Sequence, residues 1–264
     1  GSNNTSVGRQ ALLSNTTASN NTAVGYQAGF SNTTGTGLVG TGFQALYSNT
    51  TGNNNVAYGE SAMYFNTTGA SNSAVGRSAL QSNTTGGNNT ALGFSALQAN
   101  TTASNNTAVG YHSSRDNTTG STNASFGVNS LRNNTTGTSN VAIGEAALLA
   151  NTTANNNTAI GQISLFSNNT GTQNTAVGKS ALQNNTTASN NTAVGYQAGN
   201  SSNTTGITAL GAYAGQDHTS GAELTALGYF AAADNTTGGN NTSVGAGSLR
   251  FNTTGSYNSV LGWQ

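Results

Sequence analysis

One glycine, placed just behind a small aliphatic pair, returns every 17 residues from one end of this chain to the other. It stands at Gly8, Gly25, Gly42, Gly59, Gly76, Gly93, Gly110, Gly127, Gly144, Gly161, Gly178, Gly195, Gly211, Gly228, Gly245 and Gly262, and one interval alone, from Gly195 to Gly211, is 16. Spacing held over so many units means that each unit is one structural step laid on the last, so function must be read from a surface that repeats. Each step is close to NNTAVGYQALxSNTTGx. No shift in composition marks a boundary or a linker, so a single elongated domain over 1-264 is expected. Neither end carries the atypical capping unit that solenoid ends require, which makes an excerpt of a longer array the expectation.

Low hydrophobicity with abundant Asn, Thr, Ser and Gly would suit a disordered chain, but disorder gives no reason to keep apolar residues in fixed columns. The residue before the glycine is aliphatic in most units, as at Val24, Val75, Leu92, Ile143 and Val194. Four places after it stands a second column, as at Leu12, Leu46, Met63, Leu80, Leu97 and Leu131. Helix is disfavoured, because NTAVG brings β-branched residues, Asn and Gly at each pass and no 3.6-residue stripe can propagate. The unit is also too short for a helix pair, which needs roughly 30 residues. The fold class that remains is all-β, a parallel β-solenoid or β-roll of about sixteen 17-residue coils.

Within a coil, one strand is expected at TAV and a second around ALxS, with turns at the marker glycine and at NTTGx. At strand spacing of about 4.8 Å, sixteen coils predict a rod on the order of 75 Å long. Two further columns hold almost nothing larger than alanine, two residues before the glycine (Ala23, Ala74, Ala91) and three after it (Ala28, Ala79, Ala96). Strand side chains alternate, so Val and Leu are expected to fill the coil and the alanines to form a smooth outer face. Side-by-side association of identical chains through that face follows as an expectation, against the plainer reading that a narrow coil needs small residues near its corners. Tyr26, Phe43, Phe94, Tyr111, Tyr196, Tyr229 and Trp263 share the column after the glycine with Arg9, Glu60, Arg77 and Lys179, a mixture that suits a half-wet rim.

Charged residues are 5% of the chain, six Lys plus Arg against six Asp plus Glu, so no field steers nucleic acid or an anionic membrane toward it. Cysteine is absent, which removes disulfides and thiolate chemistry. Apolar runs of a few residues predict no membrane insertion. His112 and His218 are the only histidines and stand in different columns, so no metal site and no cofactor are expected. Asp217 and Glu223 are a weak carboxylate pair, more simply solvated turn charges. Glu60 and Arg77 should stack as a modest salt bridge, and Arg115 should pair with Asp116. No phosphate loop or calcium nonapeptide is present, and the chain is read as a non-enzyme.

Asparagine begins an NxT acceptor pattern seven residues after the glycine in most coils, at Asn15, Asn32, Asn49, Asn66, Asn83, Asn100, Asn117, Asn134, Asn151, Asn168, Asn185, Asn235 and Asn252, and one place later at Asn203, and many coils have a second one, such as Asn20 with Thr22 and Asn105 with Thr107. Two readings stand. The positions carry N-linked sugar in a host that attaches it, or the asparagines bond their own turns and stack into amide ladders. Between Gly199 and Glu223 the array breaks, with Asn200 to Ser202 read as one residue too many before NTT and two lost before Gly211. His218 replaces the turn asparagine there, while Leu38, Ile207 and Leu224 replace asparagine four residues before the glycine.

The segments NTAVGYQA, NVAIGEAA (Asn140 to Ala147) and NSAVGRSA (Asn72 to Ala79) resemble the NSVAIGxxA repeat of YadA-like heads in trimeric autotransporter adhesins, a resemblance that covers the whole chain, and similar Asn, Thr and Gly-rich repeats appear in phage tail-fibre-like proteins. The resemblance implies a left-handed roll, a trimer of identical chains, and a cell-surface or virion-surface location where host or matrix glycans are bound. The unit of that family is shorter, so the additional NTTGx residues imply a wider coil. The function expected is a structural extracellular fibre or adhesin segment. The rival is an ice-binding or carbohydrate-binding solenoid, although consecutive threonines in NTT do not make the TxT lattice that ice requires.

Overall fold

The structure, a computed structural model, describes residues 1–263. It is all-β, a parallel β-solenoid whose coils each contribute one short strand, from Thr5–Val7 to Ser259–Leu261, and no helix is present among the described residues. The chain divides into two compact units, Gly1–Thr136 and Gly137–Gln264. Strands follow chain order in each, running from Thr5–Val7 to Ala124–Phe126 in the first and from Val141–Ile143 to Ser259–Leu261 in the second. Pairing is in register with the repeat. Ser73 lies beside Thr90, Ala74 beside Ala91 and Val75 beside Leu92, and Thr175, Ala176 and Val177 lie likewise beside Thr192, Ala193 and Val194.

The alternation of side chains across the strand is as expected, but its sense is reversed. The alanine two residues before the glycine faces the interior, with Ala74 and Ala108 fully buried, whereas Val75 and Leu92 are 39% and 47% exposed. The second alanine column, Ala79 and Ala96, is buried as well, together with Leu80 and Leu97. A narrow coil explains the arrangement. Leucine from the far side of the coil fills most of the space, so the strand can present only a methyl group to it. A side chain added at Gly40 in this column would place its Cβ 3.5 Å from Leu46 Cδ1, ordinary contact distance with no room for branching. The smooth alanine exterior is therefore a packed interior, and the expected association through it is excluded. Where serine replaces alanine inside, hydroxyls pair with one another, as between Ser113 and Ser125 (2.6 Å) and between Ser243 and Ser248 (2.6 Å).

A second strand around ALxS is not formed. Residues two and four places after the glycine adopt the left-handed conformation, as at Ser78 (φ 56°) and Leu80 (φ 50°), and alternate with ordinary residues. This zigzag still bonds to its neighbours. The Ser78 amide donates back to Glu60 O (3.0 Å), while those of Leu80 and Ser82 donate forward to Ala96 O (3.0 Å) and Gln98 O (3.0 Å). Within the coil, Ala79 N donates to Gly76 O (3.3 Å) and Asn83 N to Leu80 O (3.1 Å), closing two turns in succession. Left-handed leucine costs about 1 to 2 kcal/mol per residue. Stacking offsets it, because the same twist aims each Leu into the core cluster that runs from Leu38 to Ala108.

The marker glycine is required by the backbone. Its φ lies far to the positive side, +130° at Gly76, and a Cβ there would stand 2.5 Å from the carbonyl oxygen of Gly93 in the next coil. Only glycine meets both conditions.

Candidate functional site

Most asparagines of the NxT pattern that begins seven residues after the glycine lie inside the coil. Asn32, Asn49, Asn66, Asn83, Asn100, Asn168, Asn185 and Asn235 are fully buried and Asn117 nearly so. Each spends its amide in the same manner. The Nδ2 of Asn83 donates to Oδ1 of Asn66 in the preceding coil (2.8 Å) and to Gly86 O in its own turn (2.9 Å), and the Nδ2 of Asn100 donates in turn to Asn83 Oδ1 (2.8 Å). The ladder extends through Asn15 and Asn32 at one end of the first unit and through Asn168 and Asn185 in the second. Asn134 and Asn151 are buried in the same column, and Asn252 donates to Asn235 Oδ1 (3.0 Å). An N-linked sugar would replace an Nδ2 hydrogen that is already engaged, at an atom with no exposure. Asn203 is exposed, its Oδ1 accepting from the Thr186 amide (3.0 Å), Asn15 and Asn252 are half-buried, and the asparagines of the second NxT pattern, as at Asn20 and Asn105, lie on the surface.

A second asparagine ladder, four residues before the glycine, is one that sequence reasoning passed over. Asn55, Asn72, Asn89 and Asn106 are buried there. Asn72 Nδ2 reaches Gly86 O (2.9 Å), while its Oδ1 accepts from the amide of Asn89 (2.9 Å). A signal was present. Leu38, Ile207 and Leu224 occupy this same column and are themselves buried, and apolar replacement of a polar residue marks an interior position.

With the asparagines inside, the outward-facing surface consists of other columns. Across most strands, Thr or Val three residues before the glycine stands beside the Val, Leu or Ile just before it, as at Thr90 and Leu92 or Thr192 and Val194. Leu92 is 47% exposed and Val194 38%. No Lys, Arg, Asp or Glu occurs in either column. Next to them the mixed rim column places Tyr26 on Phe43 with ring centres 5.3 Å apart, and Phe94 on Tyr111 at 5.4 Å. Further round, Phe30, Tyr47 and Tyr64 stack at 5.0 and 4.9 Å, and Gln10, Gln27 and Gln44 form an amide ladder with both bonds at 2.9 Å. No family model, no curated protein and no solved structure matches this chain. The surface is thus judged on its own chemistry.

Charged groups stay local. Arg77 meets Glu60 at 3.4 Å with both side chains more than half exposed, a pair that contributes well under about 1 kcal/mol. Arg115 clasps Asp116 through two bonds of 2.7 and 2.8 Å. Asp217 takes a 3.4 Å bond from Ser201 Oγ, whereas Glu223 packs beside Gly206. His112 stacks on Tyr111 at 3.8 Å, and no group of three or more metal-ligating side chains occurs among the described residues.

His218 takes over the ladder position in its coil. Its Nε2 donates to Gly221 O (2.8 Å) in place of the amide bond to the turn, and its Nδ1 accepts from Asn235 Nδ2 (3.1 Å). Burial pushes the imidazole below the usual histidine range, partly opposed by the bond to the Gly221 carbonyl.

Proposed function

We propose that this chain is a structural segment of an extracellular fibre or adhesin, in which repetition supplies length and stiffness. The observation that carries the reading is that one set of bonds, the strand, the zigzag and two asparagine ladders, joins a coil to the next with almost no variation. A fold built so can be lengthened by whole coils without redesign. The YadA-like sequence motif supports placement at a cell or virion surface. Self-association belongs to the same reading, with trimers favoured by that motif. It is assigned to the uncharged Thr and Val stripe with its aromatic rim, since these carry exposed apolar groups in coil after coil.

Chains from which two, four or six whole coils have been deleted should test this. Small-angle scattering or electron microscopy should give a longest dimension that falls by about 4.8 Å for each coil removed. A dimension that does not scale with coil number would refute the fibre reading, and a strictly monomeric mass at high concentration would refute self-association. A second reading, an ice-binding surface, is favoured by one observation: Thr90, Thr107 and Thr192 stand on strands next to outward aliphatic residues in register. Thermal hysteresis of freezing in the presence of the protein decides it, and its absence removes the idea.

A further inference from the structure

The one coil shortened to 16 residues interrupts both asparagine ladders at once. Ser202, not an asparagine, occupies the ladder position seven residues after Gly195, as its amide bond to Gly199 O (3.0 Å) shows. The missing residue therefore comes from the turn that follows, and no residue is added before it, in contrast to the reading from sequence. Three polar atoms are left without a partner here: Asn185 Oδ1, Asn191 Nδ2 and Ser202 Oγ. All three residues are fully buried.

Their orientations are fixed by the bonds they keep. Asn185 Nδ2 is held by Asn168 Oδ1 (2.8 Å) and Ala188 O (3.0 Å), so its Oδ1 points to the next ladder position, where Ser202 is too short to answer. Asn191 Oδ1 accepts from the Ile207 amide (3.0 Å), which turns its Nδ2 toward the place where other coils offer a turn carbonyl, as Ala188 O does for Asn174 (2.9 Å). In a full-length coil these two columns approach each other closely, Asn55 Nδ2 lying 3.4 Å from Asn49 Oδ1. From the other side His218 offers no donor, because its Nε2 hydrogen is committed to Gly221 and its Nδ1 to Asn235.

We propose that Asn185, Asn191 and Ser202 form a binding site for a single internal water molecule. The chemistry balances: the water accepts from Asn191 Nδ2, donates to Asn185 Oδ1 and exchanges its third bond with Ser202 Oγ. Three partners are typical of a buried water, and exchanging a carboxamide for a hydroxyl frees on the order of 30 Å³, about the share of one water. A hard cation takes about six or more oxygen ligands, whereas this site offers two oxygens, Asn185 Oδ1 and Ser202 Oγ, and an N–H donor, so it selects water over a metal ion.

The full chain should be studied by high-resolution diffraction and by water-to-amide magnetisation transfer. One ordered water within about 3.2 Å of all three atoms is expected, with transfer from water to the Asn191 side-chain amide. Ser202→Asn, which restores the amide rung, should abolish both signals, and Asn191→Leu, which places there the residue that Leu38 and Leu224 already supply in this column, should abolish the water density. Direct bonding of Ser202 Oγ to Asn185 Oδ1, density absent at the three atoms, density that persists in either variant, or a transfer signal that persists in Ser202→Asn would overturn the proposal.

Discussion

Asn100 Nδ2 donates to Asn83 Oδ1 across one coil step at 2.8 Å, and both residues are fully buried. The bond joins residues 17 apart and recurs in the same form along the ladder. A buried amide without a partner costs more than a paired one gains, so such a ladder enforces its own register. A shift of one residue would put Asn83 opposite Phe65 or Thr67 in place of Asn66.

Asn83→Ala should be costly. It leaves Asn66 Oδ1 without its donor, removes one of the two donors to Gly86 O, which keeps Asn72 Nδ2, and takes one of two acceptors from Asn100 Nδ2, a loss on the order of 2 to 4 kcal/mol. Thr85→Ala, two residues on and exposed, should stay within about 0.5 kcal/mol. Urea denaturation of both variants measures the contrast, and equal midpoints would count against a ladder that bears stability.

Gly76→Ala should lose more than any exposed substitution. A methyl at φ +130° is strained, and its contact with the Gly93 carbonyl is backbone against backbone, with no side chain able to move aside. At least about 3 kcal/mol is expected from strain and displaced strand bonds together. The thermal midpoint followed by circular dichroism checks it.

Ala91 and Leu92 are neighbours on opposite faces, so size should matter at one and not at the other. Ala91→Val adds methyl groups to a filled interior and should cost about 1 to 3 kcal/mol. Leu92→Thr removes an outward side chain and should leave stability within about 0.5 kcal/mol. If Leu92→Thr is the more damaging of the two, the assignment of faces is wrong.

His218 should make the protein sensitive to acid. Its folded pKa is depressed by burial, so the unfolded chain binds the proton more readily and stability rises with pH through that window. The contribution is complete above the unfolded value of about 6.5 and is lost as pH falls through the lower folded value. His218→Asn restores the ladder amide and should flatten the stability profile between pH 7 and pH 5, as measured by denaturation at several pH values.

Sequence alone defined the coil, its length and the TAV strand, because period and β-branching act locally. It reversed the two faces. Alternation says that Ala74 and Val75 point opposite ways, but which one faces inward depends on the width of the coil, and that is set by Leu80 from a different segment. It also expected a strand around ALxS, since leucine in the left-handed conformation is disfavoured in isolation and is held there only by bonds to coils on either side. The asparagines were read as turn residues open to modification or stacked in ladders, and polarity alone could not place them. A buried carboxamide and an exposed one have the same letter, and the leucine at position 38 was the sign of an interior column.

The amides of the Asn66, Asn83 and Asn100 ladder all point one way, each hydrogen directed at the coil before and each oxygen at the coil after. A cut anywhere in that ladder leaves a side-chain N–H facing out at one end and a side-chain carbonyl at the other. Like magnets laid in a row, segments of this kind can join end to end in a single orientation, and two identical ends brought face to face would meet donor against donor.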